Sequence, residues 1–278
     1  INRAGREMFG YEADELVERD ARELYADPED RERFLEAIRR GGGSVKDFEL
    51  RLRRRDGEVV HCLLTSTART NAEGDLVGYQ GIIRDVTEQK RLEAELEHRA
   101  LHDWLTDLPN RALLRDRLAK ALARADRRGH AVALLFVDLD DFKRVNDRWS
   151  HAAGDQVLLE VAGRLGAQFR DEDTVARIGG DEFVVLLEHV EGEDVVERAA
   201  RRAAGAFDEP FEVEGESVGM DASIGVAVRE RGAEAGRPDQ EALLHAADQA
   251  MYRAKASPGT RWCRAGDDRE PRGTGASS

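Results

Sequence analysis

Two clusters of carboxylates stand where apolar runs end: Asp138-Leu139-Asp140-Asp141 after the run 131–137, and Asp181-Glu182 between the runs 175–178 and 183–187. If these runs are neighbouring strands of one sheet, the carboxylates converge, and converging hard oxygens suit Mg2+ or Mn2+. Taken singly, each cluster reads as an ordinary solvated strand end. Gly179-Gly180 precedes the second cluster; paired glycines let a chain turn through positive φ and let a ligand reach the backbone with no Cβ in the way. A divalent ion held there would invert the local field and admit a triphosphate to an acidic protein.

These clusters need a scaffold, and the hydrophobic pattern supplies one. Residues 131–137 are apolar throughout, as expected of a central strand covered on both faces. Residues 175–178, the Gly-Gly turn and residues 183–187 read as a β-hairpin. After Pro109, which suits a first helical turn, Leu113, Leu114, Leu118 and Leu122 trace an amphipathic helix. Further helices are expected over 154–169, with Val157, Leu158, Val161 and Leu165 inward, over 195–207 and over 241–256, with a strand over 218–228. The mixed order predicts an α+β fold, a sheet with helices packed on it. Upstream, strands at 45–53, 59–67 and 77–86, the first two joined through Asp56-Gly57 and the last two through a longer turn at 71–75, predict an antiparallel sheet. The stretch between has strong helix formers and no breaker; Leu92 and Leu96 share a face, too few leucines to define a coiled coil.

At 278 residues the chain suits two domains. A net charge of -14 with 36% charged residues excludes sequence-independent nucleic-acid binding, which needs clustered positive charge. Cys62 and Cys263, one in each half, make no disulfide framework, so a reducing, cytoplasmic setting is expected. No apolar run reaches the roughly 18 to 20 residues of a membrane helix, and no signal segment opens the chain. It begins at Ile1 in an amphipathic pattern and reads as a fragment whose upstream part, with room for a membrane anchor, is missing.

The string Arg177-Ile178-Gly179-Gly180-Asp181-Glu182-Phe183 resembles the signature hairpin of the GGDEF family of diguanylate cyclases. Around it stand His102-Asp103-Trp104-Leu105-Thr106-Asp107-Leu108-Pro109-Asn110-Arg111, Phe142-Lys143-Arg144-Val145-Asn146-Asp147 and His151-Ala152-Ala153-Gly154-Asp155, in that family's order and spacing. The resemblance implies a nucleotidyl-cyclase or palm-like domain with a central mixed sheet flanked by helices, joining two GTP molecules into cyclic di-GMP with loss of pyrophosphate. It implies that Asp138, the Leu139 carbonyl and Asp181 hold Mg2+ or Mn2+, that Asp181 or Glu182 assists proton removal, and that Lys143 stabilises phosphate charge. Asn146, His151 and Asp155 fall at its substrate positions and Lys255 at a phosphate contact, although Ser257-Pro258-Gly259-Thr260-Arg261 departs from the family's usual continuation. A carboxylate at Asp155 would accept from guanine N1–H and its 2-amino group, donors that adenine lacks. Asp107 replaces a common glycine, and Asp tolerates left-handed backbone. Arg170 and Asp173 match the family's inhibitory RxxD site for product. One such domain holds one GTP, so a homodimer is implied.

Residues 2–16, with Phe9-Gly10-Tyr11 and Asp14-Glu15-Leu16, then Asp56-Gly57 and Asp85-Val86-Thr87-Glu88-Gln89, resemble a PAS sensor domain lacking its first two strands. No residue there announces its ligand, which is unknown from sequence. The expected organisation is a PAS domain over 1–87, a helical linker over 88–103, a GGDEF domain over 104–263 and a disordered tail over 264–278. The competing reading is an inactive GGDEF domain acting as a cyclic di-GMP receptor through Arg170 and Asp173; such domains lose acids from the signature, and these are intact.

Overall fold

The computed structural model describes residues 2–12, 15, 19–230 and 240–266. The chain divides into two compact units, Ile1–Glu97 and His98–Ser278. Asp14 and Leu16 of the PAS resemblance, and residues 267–278 of the expected tail, lie outside the described residues; Arg264, expected to begin that tail, is instead the last residue of a strand, paired with Val226.

In the first unit, α1 (Arg3–Phe9) is capped by Asn2, whose side chain accepts from the Gly5 amide, and α2 (Pro28–Arg40) starts behind Asp27 with proline at its first position. Strands β1 (Ser44–Arg53), β2 (Val59–Thr70) and β3 (Leu76–Asp85) form an antiparallel sheet in that order. Alternation along β2 puts Val60, Cys62, Leu64 and Ser66 inward, where the three apolar side chains join Phe9, Phe34, Ile38, Leu50 and Leu52 in one core. Burial pushes the Cys62 thiol up to about 12. Helix α3 (Thr87–Leu101) follows; it has no buried residue, and Leu92 and Leu96 are exposed.

In the second unit, α4 (Arg111–Arg128) is capped by Asn110, which accepts from the amides of Ala112 and Leu113. Pro109 thus precedes the cap and does not enter the first turn. Strand β4 (Ala131–Leu139) is followed by a separate helix α5 (Phe142–Arg148), too short to show a period in the sequence, and by α6 (His151–Gln168). The start of α6 precedes the expected one because Ser150 accepts from the Ala153 amide and caps the helix there. The hairpin β5 (Thr174–Gly179) and β6 (Glu182–Val190) leads to α7 (Glu193–Gly205). The expected strand over 218–228 is divided between two sheets: β7 (Phe211–Val213) and β8 (Glu216–Val218) make a small hairpin, and β9 (Ala222–Arg229) joins the main sheet. Helix α8 (Gln240–Ala256) and β10 (Trp262–Arg264) close the unit.

The main sheet runs β10-β9-β4-β6-β5, antiparallel except for the parallel pair β10–β9. β4 is central. Its residues Ala133, Leu135 and Val137 pack with Val157, Leu158, Val161 and Leu165 of α6 and with the alanines of α7. Val132, Leu134 and Phe136, one residue out of phase, pack with Leu114, Leu118 and Leu122 of α4 and with Ala247 and Met251 of α8. A strand with a core on each side must be apolar at every position, which is why its run shows no alternation.

Candidate active site

Antiparallel pairing on both sides of β4 brings its C-terminal end beside the starts of β6 and β9. Asp138 stands opposite Glu182 on one neighbour and Ser223 on the other. The Leu139 amide donates to the Asp181 carbonyl at 3.3 Å, and the Asp140 amide donates to the Asp221 carbonyl at 2.9 Å. The two carboxylate clusters therefore meet at one edge of the sheet. The Ser223 hydroxyl donates to Asp140 at 2.9 and 3.1 Å.

Charge at this edge is crowded. Burial pushes the Asp140 carboxyl up, reinforced by Asp138 and Asp221 and opposed by the Ser223 hydrogen bond and Lys255. Burial likewise pushes Glu182 up; Arg111 opposes it, and Asp138, Asp181 and Asp248 add to it. Lys255, at the end of α8, forms an ion pair with Asp138 and lies 4.0 Å from Asp140. Burial works against its charge, but Asp138, Asp140 and Asp181 outweigh that and raise its pKa. Arg261, from the segment that departs from the family pattern, pairs with Asp208 and Asp221.

The hairpin turn is clamped from outside. Gly180 adopts φ 45°, and its carbonyl accepts from Arg177 Nε at 3.0 Å and Nη2 at 2.7 Å. Arg177 Nη1 donates to Asp103 Oδ1 at 2.8 Å, and Asp103 also accepts from the Thr106 amide and hydroxyl at 2.9 and 2.7 Å. The Arg177 amide donates to the Pro109 carbonyl at 3.0 Å. Burial alone would raise the Asp103 carboxyl; the bonds from Thr106 and Arg177 overcome it and hold Asp103 below the usual carboxylate value. Asp107, in the same loop, takes φ 59°, the left-handed conformation expected of a glycine substitute. Arg177 and Asp103 both stand in the motif strings, but nothing in their spacing pairs them, and no local pattern marks Ser223 or Arg111 for a role.

Helix α5 starts directly after the first acid cluster and carries Lys143, which is exposed, and Asn146, which is half-buried. A Cβ on Gly154 would lie 2.0 Å from Asn146 Oδ1, so the bare glycine is what lets the Asn146 amide lie against α6. Asp155 is half-buried in the second turn of α6, beyond the reach of the helix-terminus field that would otherwise account for an acid there. His151 is exposed at the first position of α6. Arg170 pairs with Glu172 at 3.2 Å, while the Asp173 carboxylate accepts from the Arg170 amide at 3.3 Å. Burial pushes the Asp173 carboxyl up.

Among the described residues, no three or more His, Cys, Asp or Glu side chains form a group that could hold a metal ion. The oxygens of Asp138, Asp181 and the Leu139 carbonyl are the hard donors suited to a divalent cation, supplied by two side chains and one main-chain group. Their crowded negative charge, offset by Lys255, fits such an ion.

A mixed sheet flanked by helices, with acids gathered at the end of its central strand, makes this an α+β domain, and comparison with known proteins assigns it. Residues 100–261 match the family described as diguanylate cyclase, GGDEF domain, and residues 1–88 match a PAS domain family. The chain belongs to the GGDEF family. It is 44% identical over 172 residues to diguanylate cyclase TpbB of Pseudomonas aeruginosa, covering 60% of this chain and 38% of that one. It is 40% identical over 171 residues to diguanylate cyclase DgcN of Escherichia coli, covering 60% of this chain and 40% of that one. The chain thus spans only two fifths or less of the curated relatives it matches. Among solved structures, the coiled coil and GGDEF domain of DgcB from Caulobacter crescentus, in complex with c-di-GMP, superposes with TM-score 0.56 at 28% identity, covering 64% of this chain and 94% of that one. The GGDEF domain of TpbB gives TM-score 0.54 at 40% identity, covering 59% and 94%.

Proposed function

We propose that this chain is a diguanylate cyclase that condenses two GTP molecules into cyclic di-GMP. The observation that carries the reading is the meeting of Asp138 with Asp181 and Glu182 at the end of the central strand. Relatives sharing 40–44% identity are named diguanylate cyclases, which supports it. Each bond-forming step joins a ribose 3′-hydroxyl to the α-phosphorus of the other GTP and breaks its bond to the β-phosphate, releasing pyrophosphate. Asp138, the Leu139 carbonyl and Asp181 would hold Mg2+ or Mn2+, which when bound lowers the hydroxyl's pKa and neutralises phosphate charge. Asp181 or Glu182 takes the hydroxyl proton. Lys143 and Lys255 bind phosphate, with Lys255 leaving its ion pair with Asp138 to do so. Asp155 accepts from the N1–H and 2-amino donors of guanine, Asn146 completes base recognition, and His151 contacts substrate.

Two domains, each with one GTP, face each other in the working homodimer. The PAS domain over 1–87 acts through the helix of 88–103 on the GGDEF domain over 104–263, within a protein working in the cytoplasm. Arg170 and Asp173 bind the product and slow the enzyme; among the neighbours, the DgcB domain is in complex with c-di-GMP. Incubation with GTP and Mg2+ followed by separation of the products tests the reading. A dimeric sample that yields no cyclic dinucleotide overturns it, and initial rates unmoved by added cyclic di-GMP overturn the product brake.

A further inference from the structure

On the face of the main sheet covered by α4 and α8, a cavity of about 270 Å3 opens beside the signature hairpin. Its floor is apolar, made by Leu114, Phe136, Ile178 and Leu244. It is also lined by Arg111 and Arg115, from successive turns of α4, by Glu182 of β6 and by His245 and Asp248 of α8. Arg111 stays 3.9 Å from Glu182 with 58% of its side chain exposed, and Arg115 reaches Glu241 at the rim at 2.7 Å. The volume lies just under the roughly 300 Å3 at which small-ligand pockets begin. It suits a fused ring with its sugar at the mouth, and is too small for a dinucleotide.

Two arginines and two carboxylates in one lining, with Arg111 beside Glu182, select the ligand. Guanine presents two acceptors, O6 and N7, on one edge, which arginine meets bidentately. Its other edge presents N1–H and the 2-amino group, two donors matched by the two oxygens of a carboxylate. Adenine has an amino donor beside N7 and no N1–H, so it meets the arginines with a donor and leaves the carboxylate unpaired.

We propose that this cavity is a second guanine-nucleotide site, separate from Asn146 and Asp155, with the base on the apolar floor, its acceptor edge toward Arg111 and Arg115, and its donor edge toward Glu182 and Asp248. A base seated there touches Glu182, so occupancy acts directly on the hairpin that carries Asp181. The choice of guanine fits the reading of the chain as a GTP-using enzyme, and binding is measured without turnover.

The probe is GMP, measured by equilibrium dialysis on the full chain carrying Asn146→Ala, Asp155→Ala and Arg170→Ala, which silence the other proposed guanine positions. One equivalent of GMP is expected to bind, AMP at least about tenfold more weakly, and GMP about tenfold more weakly again after Arg115→Ala. Leu244→Trp fills the floor and should abolish binding, with circular dichroism checking the fold of each variant. The otherwise unaltered chain gives a second measure, losing one class of GMP sites on Leu244→Trp. No GMP bound by the folded triple variant, or binding indifferent to Arg115→Ala and Leu244→Trp, overturns the site. A wild-type chain that makes no cyclic di-GMP sinks the cyclase reading and leaves this result standing.

Discussion

The two units bury their sheets in opposite ways. β2 alternates, with Val60, Cys62, Leu64 and Ser66 covered and their neighbours half-buried or exposed, and β3 leaves Leu76, Val77 and Ile82 exposed. β4 is buried at every position from Ala131 to Val137, with a separate core on each side. A strand locked by two cores cannot slip by one residue without reversing both. The carboxylate that ends it is therefore held in register with its neighbours on β6 and β9. The first unit's sheet has one packed face and one face where substitution meets little resistance.

The largest expected effect lies at the locked edge. Asp181→Ala should abolish cyclic di-GMP formation while leaving the thermal midpoint close to wild type; retained activity would remove Asp181 from the proposed metal site. Next is the clamp: Arg177→Ala removes the charged partner of the half-buried Asp103 carboxylate, leaving it the two Thr106 hydrogen bonds, and should cost about 1.5–3 kcal/mol, read by denaturant unfolding of the second unit. If stability is unchanged, the hairpin does not depend on the clamp. Truncations then contrast the sheets directly. Leu134→Ala, in β4, should cost about 2–5 kcal/mol, whereas Ile82→Ala, on the open face of β3, should stay within about 0.5 kcal/mol. Equal costs would erase the distinction between the sheets. Gly154→Ala sets a methyl against Asn146 and should cost about 1–3 kcal/mol, together with weaker selection of GTP over ATP.

Acid and base should separate the units as well. In the folded chain the Thr106 and Arg177 bonds hold the Asp103 carboxyl below its ordinary value of 3.8. The stability it contributes is present above the unfolded value and is lost as pH falls through the folded one, so the second unit weakens on that side. Cys62 has its thiol raised from 9.0 to about 12. Its contribution is fully present below the unfolded value and is lost as pH rises from there toward the folded one, so the first unit weakens in alkali. Melting curves across pH, with Asp103→Asn and Cys62→Ala as controls, would show the slopes vanish; slopes that persist assign them to other groups.

Much of this scaffold was legible in the sequence. The uninterrupted apolar run of β4, the Gly-Gly hairpin and the leucine stripe of α4 each carry their signal within a few neighbouring residues. Elements too short for a period leave no such signal: α5 with 7 residues, and β7, β8 and β10 with 3 each. Pro109 suits a first helical turn by its type, yet it lies before α4, because the Asn110 side chain takes the cap. The candidate site divides similarly, since motif strings named Asp138, Asp181, Asn146 and Asp155 but not the contacts that hold them.

What the sequence by itself determined is which residue types stand at the ends and turns of each element, because those choices answer to backbone geometry and to the side-chain period within a turn or two. Which ends meet was left to the tertiary structure. Arg177 finds Asp103 from 74 residues away, Lys255 finds Asp138 from 117, and Ser223 finds Asp140 from 83. A buried charge or hydroxyl requires a partner, but its identity follows from strand order and register, which only the packing of α4, α6, α7 and α8 on the two faces of one sheet decides.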